Sequence, residues 1–180
     1  ATLVRLFVKA GANVEVAMTK SACEFITPLT FQVLTKNKVH IDTFDEDEAN
    51  KVQHIHLADQ TDVAIVVPAT ANTIAKMANG IADNFVTSTL LATTAPIYVV
   101  PAMNEHMWEN PATVRNVKQL VEDGKSVIEP ATGFLAEGYN GKGRLPEPEE
   151  IFEQVTFFES RREYKSPLEG KTILITAGGT

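Results

Sequence analysis

Two short segments hold the residues most able to do chemistry. In the first, Thr70, Ala71, Asn72 and Thr73 follow Pro68 and Ala69, and three of those four carry a hydroxyl or an amide that can bond a ligand or cap a helix. In the second, Ala102, Met103, Asn104, Glu105, His106, Met107 and Trp108 follow Pro101. Each segment comes after an apolar run, residues 63–67 and 97–100, of the kind that forms a strand buried on both faces of a parallel sheet. Behind the first segment Ile74, Met77, Ala78 and Ile81 recur at helical spacing. Strand, polar turn and helix N-terminus is the arrangement at which open α/β sheets bind anions and the polar edges of cofactors. An ordinary capped turn would explain either segment alone. Two of the same kind, each opened by a proline, point to one site built from both.

The elements that must position these turns are readable in chain order. Leu3, Val4, Leu6, Phe7 and Ala10 predict a helix stopped by Gly11. Such a helix needs a preceding strand to pack on, so we expect a strand ahead of Ala1. Val14, Val16 and Met18 predict a strand, and Thr19, Lys20 and Ser21 turn it into a helix through Ala22, Phe25 and Ile26. Ser21 is there either an N-cap or a donor to an anion, and Phe25 is either core or a ligand contact. Leu29, Val33 and Leu34 share one face of a second short helix within residues 27–37, and Val39 and Ile41 suggest a brief extended piece. An acidic run at residues 45–48 reads as a solvated loop or helix start.

His54 and His56 raise a metal reading, but no Cys or carboxylate cluster at ligand spacing accompanies them. On a helix, residues two apart point about 200° away from each other, so at most one of the pair faces a site. Gly80 is a candidate C-cap, with Asp83 and Asn84 placed to cap a helix over residues 85–92. Asn110 and Pro111 open a helix whose buried face is expected to carry Val114, Val117, Leu120 and Val121, ending at Gly124. Val127 and Ile128 form the last core strand. Residues 131–148 contain four glycines and no apolar periodicity, and read as a functional lid loop, with a mobile surface loop as the alternative. Residues 151–158 form a closing helix, 159–170 a charged linker, and 171–180 the start of a new strand and Gly-rich turn, as in a chain cut inside a further domain.

A chain of 180 residues suits one α/β domain with a substantial core. The net charge of -7 argues against a polyanion-binding surface, so neither nucleic acid nor an anionic membrane is an expected partner. No apolar run approaches the roughly 20 residues of a membrane span, and no signal peptide opens the chain. The lone Cys23 cannot form an intrachain disulfide, and the simplest inference is a reducing, cytoplasmic setting.

PATANT (residues 68–73) and PAMNEHMW (residues 101–108) resemble the paired PASANT and PXMNXXMW signatures of the homo-oligomeric flavin-containing cysteine decarboxylases. The resemblance implies a Rossmann-like, doubly wound parallel sheet flanked by helices, with FMN as cofactor and no metal. It places Ser21, Phe25, Thr70, Ala71, Asn72, Thr73, Ser88, Ala102 and Met103 at the flavin, with Ser21 on its phosphate. The family's catalytic histidine precedes an I-x-L, which His54 matches, leaving His56 at the surface. Asn104 would hold the substrate carboxylate and share the catalytic role.

Residues 133–145 resemble the family's substrate clamp, G-x-L-A-C-G-x-x-G-x-G-R-[ML], and match it at Gly133, Leu135, Ala136, Gly138, Gly141, Gly143, Arg144 and Leu145. The clamp's cysteine, the family's proton donor, is here Glu137, a candidate replacement for it. Met107, Ala136 and Arg144 join Asn104 as expected substrate contacts, with Arg144 anchoring the clamp or meeting a substrate phosphate. The implied reaction is redox-neutral decarboxylation of 4′-phosphopantothenoylcysteine to 4′-phosphopantetheine in coenzyme A biosynthesis, with a hydride lent to FMN and returned. The resemblance further implies homotrimers, a dodecamer built from them, a decarboxylase domain over residues 1–158, and at 159–180 a linker plus the first strand of a synthetase domain. An oxidative cysteine decarboxylase that releases an enethiol, and a non-catalytic flavin-binding regulatory subunit, are the alternatives.

Overall fold

The apolar run at residues 97–101 is buried along its whole length, and the other elements are layered around it. The computed structural model describes residues 1–43, 52–136, 138–162, 170 and 172. Three expectations lie outside these residues: the acidic run 45–48, Glu137, and the strand and turn of 171–180, of which only Thr172 is described. The chain runs α1 (Thr2–Lys9), β1 (Val16–Ala17), α2 (Lys20–Cys23), α3 (Pro28–Thr35), β2 (Val39–His40), α4 (Gln53–Gln60), β3 (Ala64–Ala69), α5 (Ala71–Ala78), α6 (Phe85–Ala92), β4 (Ile97–Pro101), α7 (Glu105–Trp108), α8 (Pro111–Glu122), β5 (Ser126–Val127), β6 (Ala131–Phe134), β7 (Asn140–Arg144) and α9 (Pro148–Arg162).

The ladders of β3, β4 and β5 are parallel with β4 in the middle, and β1 pairs with β2 in a second parallel ladder. Side chains alternate across β4. On one face Ile97 and Val99 join Val66, Ala69, Ile74 and Leu120, with Met77, Leu90 and Val117 packed against them. On the other, Tyr98 and Val100 meet Ile128, Ile151 and Val155, with Leu3 and Phe7 of α1 alongside. Burial of one such aliphatic side chain is worth about 1.5–3 kcal/mol. An exposed pair such as Lys118–Glu122 contributes about 0–1 kcal/mol, so the layered core and not the surface charge holds the sheet. Helices on both faces of parallel strands give the expected α/β architecture.

Several details differ from the sequence reading. Pro68 does not end β3: the strand continues to Ala69, with a register shift between Val66 and Ala69 where proline has no N–H to donate. Val114 and Val121 are exposed, and the inner face of α8 is instead Thr113, Val117 and Leu120. Leu29 and Val33 of α3 also face outward. Asn84 alone caps α6, through a reciprocal capping box with Thr87. Asp83 pairs with Lys76 instead, at 2.6 Å, and that ammonium holds its carboxyl below the usual range. The Gly-rich stretch expected as a loop is an antiparallel hairpin, β6 with β7. The closing helix α9 extends beyond the expected 151–158 at both ends.

Tyr98 ties β4 to α9, donating its hydroxyl to Glu159 Oε1 at 2.6 Å. Burial, reinforced by the adjacent Glu159 carboxylate, raises the phenol from 10 to about 12. Between those values the folded protein keeps a proton that the unfolded chain has lost, so stability should fall as pH rises through this window. A spectrophotometric phenolate titration should show a late step that Tyr98→Phe removes. A titration in which that variant changes nothing would contradict the assignment.

Candidate functional site

The first polar turn is organised by Thr70, the N-cap of α5, whose Oγ1 accepts from Thr73 N–H at 3.3 Å. The Thr70 and Thr73 hydroxyls lie 3.2 Å apart and exposed. Ala71, Asn72 and Thr73 form the first helical turn, where backbone N–H groups lack intrahelical acceptors. The second turn lies beside it, because Ala102 N–H donates to the Ala69 carbonyl at 3.2 Å. The backbone therefore sets the two turns side by side.

Asn104 is oriented from two sides. Its Oδ1 accepts from His106 N–H at 2.9 Å and so caps the short α7, while its Nδ2 donates to the Tyr139 hydroxyl at 2.7 Å. Two further bonds dock the hairpin on this turn: Met103 N–H to the Gly143 carbonyl at 3.0 Å, and Lys142 N–H to Glu105 Oε1 at 2.9 Å. At Gly143 the approach is close enough to require glycine. A Cβ on Gly143 would lie 2.0 Å from the Met103 carbonyl oxygen, and one on Gly141 would lie 2.8 Å from the Glu105 carboxylate. Between turn and hairpin is a cavity of about 300 Å³ whose walls include Ala102, Met103, Asn104, Phe134, Ala136 and Arg144. A second cavity of about 300 Å³ opens at the far end of β4, between Met77, Leu90, Pro96 and Lys125, and shares no residue with either turn.

The remaining expected residues are distributed as follows. Arg144 pairs with Glu147 just beyond the hairpin and also lines the cavity. Met107 is half-exposed on α7, outside the cavity walls. His54 stands on α4 with its ring edge-on to Phe85, 6.3 Å between centroids. Its Nδ1 is buried and has no hydrogen-bond partner among the described residues, whereas His56 is exposed. Ser88, on α6, donates to the Ala82 carbonyl at 3.5 Å. Thr19, not Ser21, caps α2, accepting from Ala22 N–H at 3.1 Å, and the Ser21 side chain is exposed. Phe25 is 92% exposed, which removes it from the core. Sequence reasoning missed Glu105 and Tyr139. Tyr139 occupies a variable position of the clamp pattern and gives no signal there, and Glu105 falls on an equally variable position of the other signature.

A parallel α/β sheet whose strands end in two bonded polar turns is the architecture of a protein that holds a phosphorylated cofactor at its strand ends. The chain belongs to the flavoprotein family, whose model matches residues 1–158. It is 53% identical over 178 residues to the coenzyme A biosynthesis bifunctional protein CoaBC of Bacillus subtilis (strain 168), a match covering 99% of this chain and 44% of that protein. The chain thus spans less than half the length of the curated relatives it matches. Among solved structures it is similar to a PPC decarboxylase mutant complexed with pantothenoylaminoethenethiol, with TM-score 0.75, 32% identity, and coverage of 88% of this chain and 89% of that one. It is equally similar to the FMN-dependent cysteine decarboxylase SpaF, with TM-score 0.75, 31% identity, and 88% and 87% coverage.

The residues present fit a flavin. Exposed hydroxyls at Ser21, Thr70 and Thr73 beside helix N-termini suit a phosphate, and the bared Phe25 ring suits an aromatic edge. The orphaned His54 Nδ1 suits a polar ligand atom. Among the described residues no group of three His, Cys, Asp or Glu could hold a metal ion, and no helix is long and apolar enough to cross a membrane.

Proposed function

We propose that this chain is the decarboxylase part of a coenzyme A biosynthesis protein, which binds FMN and converts 4′-phosphopantothenoylcysteine to 4′-phosphopantetheine with release of CO₂. The observation that carries this reading is the Asn104 amide, fixed at the wall of a cavity that the hairpin covers. An amide donates to a carboxylate without adding a positive charge, so it holds the group in the ground state without resisting its departure as neutral CO₂. FMN, when bound, supplies the oxidising and reducing power that makes loss of a cysteine carboxylate feasible. His54 orients or deprotonates the substrate thiol. Arg144 anchors the hairpin, and Glu137 takes the place of a proton-donating cysteine. Thr70, Asn72 and Thr73 bind the cofactor together with Ser21, Phe25 and Ala102.

We place the decarboxylase domain at residues 1–158, with 159–180 leading into a ligase domain. The protein works in the cytoplasm as a trimer, from which a dodecamer is assembled. The outward-facing Phe25, Leu29 and Val33 support burial against another subunit. The presence of Glu137 where relatives of the clamp pattern carry cysteine favours one second reading, in which reaction stops at the enethiol. The mass of the product formed anaerobically from 4′-phosphopantothenoylcysteine by the FMN-loaded, full-length protein decides between them. Loss of CO₂ alone is expected. Loss of CO₂ and two hydrogens together would establish the oxidative reading, and an unchanged substrate with flavin bound would leave a regulatory flavin-binding role.

A further inference from the structure

We infer that Tyr139 donates its phenolic O–H to the substrate carboxylate and that Asn104 orients it for that contact. The inference rests on the decarboxylase reading above. Tyr139 lies in the turn between β6 and β7, and its backbone is fixed there because Leu135 N–H donates to the Tyr139 carbonyl at 2.8 Å. Its ring is 6.4 Å from that of His106, so the phenol reaches back from the hairpin to the second polar turn. There its oxygen accepts the Asn104 amide N–H at 2.7 Å.

A phenol has one proton to give and lone pairs to receive. With a lone pair already engaged by Asn104, the remaining function of the half-buried hydroxyl is to donate, and acceptance of the amide N–H makes it a better donor. Tyr139 is not itself a wall of the cavity, but its hydroxyl meets the Asn104 amide that is, and an acceptor-only group of negative charge beside Asn104 is the partner this arrangement fits. The substrate's carboxylate is such a group, and the decarboxylated product lacks it. Tyr139 therefore separates substrate from product by the group that the reaction removes. Because it arrives on the hairpin, the contact also couples closure of the cavity to the presence of the carboxylate.

The test compares two ligands in the FMN-loaded, full-length protein and its Tyr139→Phe variant. Binding of 4′-phosphopantothenoylcysteine should weaken by about tenfold to a hundredfold, the range for one hydrogen bond to a charged group. Binding of 4′-phosphopantetheine should be unchanged, which also reports that the hairpin still closes. Equal weakening of both ligands would mean that Tyr139 merely holds the hairpin, and unchanged or tighter substrate binding would mean that the phenol is a placeholder displaced by substrate. Either result overturns the assignment while leaving wild-type CO₂ release intact. Absence of CO₂ release by the wild type would overturn the decarboxylase reading and this inference together.

Discussion

Asn104→Asp is expected to lower the rate of CO₂ release by about a hundredfold or more while the protein keeps its fold and its flavin. The substitution separates the two roles that the side chain plays. As a helix cap, Asn104 uses only Oδ1, which accepts from His106 N–H at 2.9 Å. Aspartate caps as well as asparagine, so α7 stays in place, whereas alanine would forfeit about 1 kcal/mol of cap energy and confuse structure with chemistry. As a ligand group, Asn104 uses Nδ2, which donates to Tyr139 and sits at the cavity wall. Aspartate has no donor there and brings a negative charge toward a carboxylate substrate. The lost charge-assisted bond alone is worth about 1.5–3 kcal/mol, and like-charge repulsion adds to it. Turnover, flavin absorbance of the purified protein and thermal unfolding should be measured side by side. Retention of turnover, or loss of flavin without loss of stability, would remove Asn104 from the carboxylate.

The parts of this site legible in the sequence are those set by local chemistry. Asn84 and Asn110 cap the helices they precede, Thr70 caps α5, and the runs at 63–67 and 97–100 are strands because nothing but burial suits them. The errors have a common physical origin in partners distant along the chain. Periodicity places Val114, Val117, Leu120 and Val121 together on α8, yet only Val117 and Leu120 pack on the core, with Thr113 buried beside them, because the pattern alone does not select which side of the stripe meets the sheet. Residues 131–148 carry no apolar alternation, so the hairpin is invisible locally. Its strands are held by their own ladder and by Met103, Asn104 and Glu105, some forty residues earlier in the chain. The same bonds explain the glycine at 143, which passes closer to the backbone of the second turn than any side chain allows, while Gly141 leaves room for the Glu105 carboxylate. A pattern match identifies such glycines, but only the docked hairpin gives their reason.

Gly143→Ala is the sharper test of that docking and should cost both stability and activity. The added methyl would sit 2.0 Å from the Met103 carbonyl oxygen and 3.4 Å from Glu105 N. Both are backbone atoms, so relief requires the hairpin or the second turn to move, with loss of the Met103 N–H to Gly143 carbonyl bond. Overpacking of this kind costs about 1–3 kcal/mol, and in a chain of this size each kcal/mol lowers the melting temperature by about 2–4 °C. Movement on either side also displaces Asn104, so kcat/KM should fall by about tenfold or more, as expected for misplacement of a positioned group. Gly133→Ala supplies the control within the same hairpin. There the methyl would approach only the Arg144 side chain, at 3.2 Å to Cδ, and a half-exposed, flexible side chain can yield by a few tenths of an ångström. If the hairpin rests on the second turn in the working protein, Gly143→Ala is much the more damaging of the two in both thermal unfolding and turnover. Equal activity in the two variants would mean that the protein works with the hairpin lifted away, and that the bonds from Met103, Asn104 and Glu105 belong to a resting arrangement.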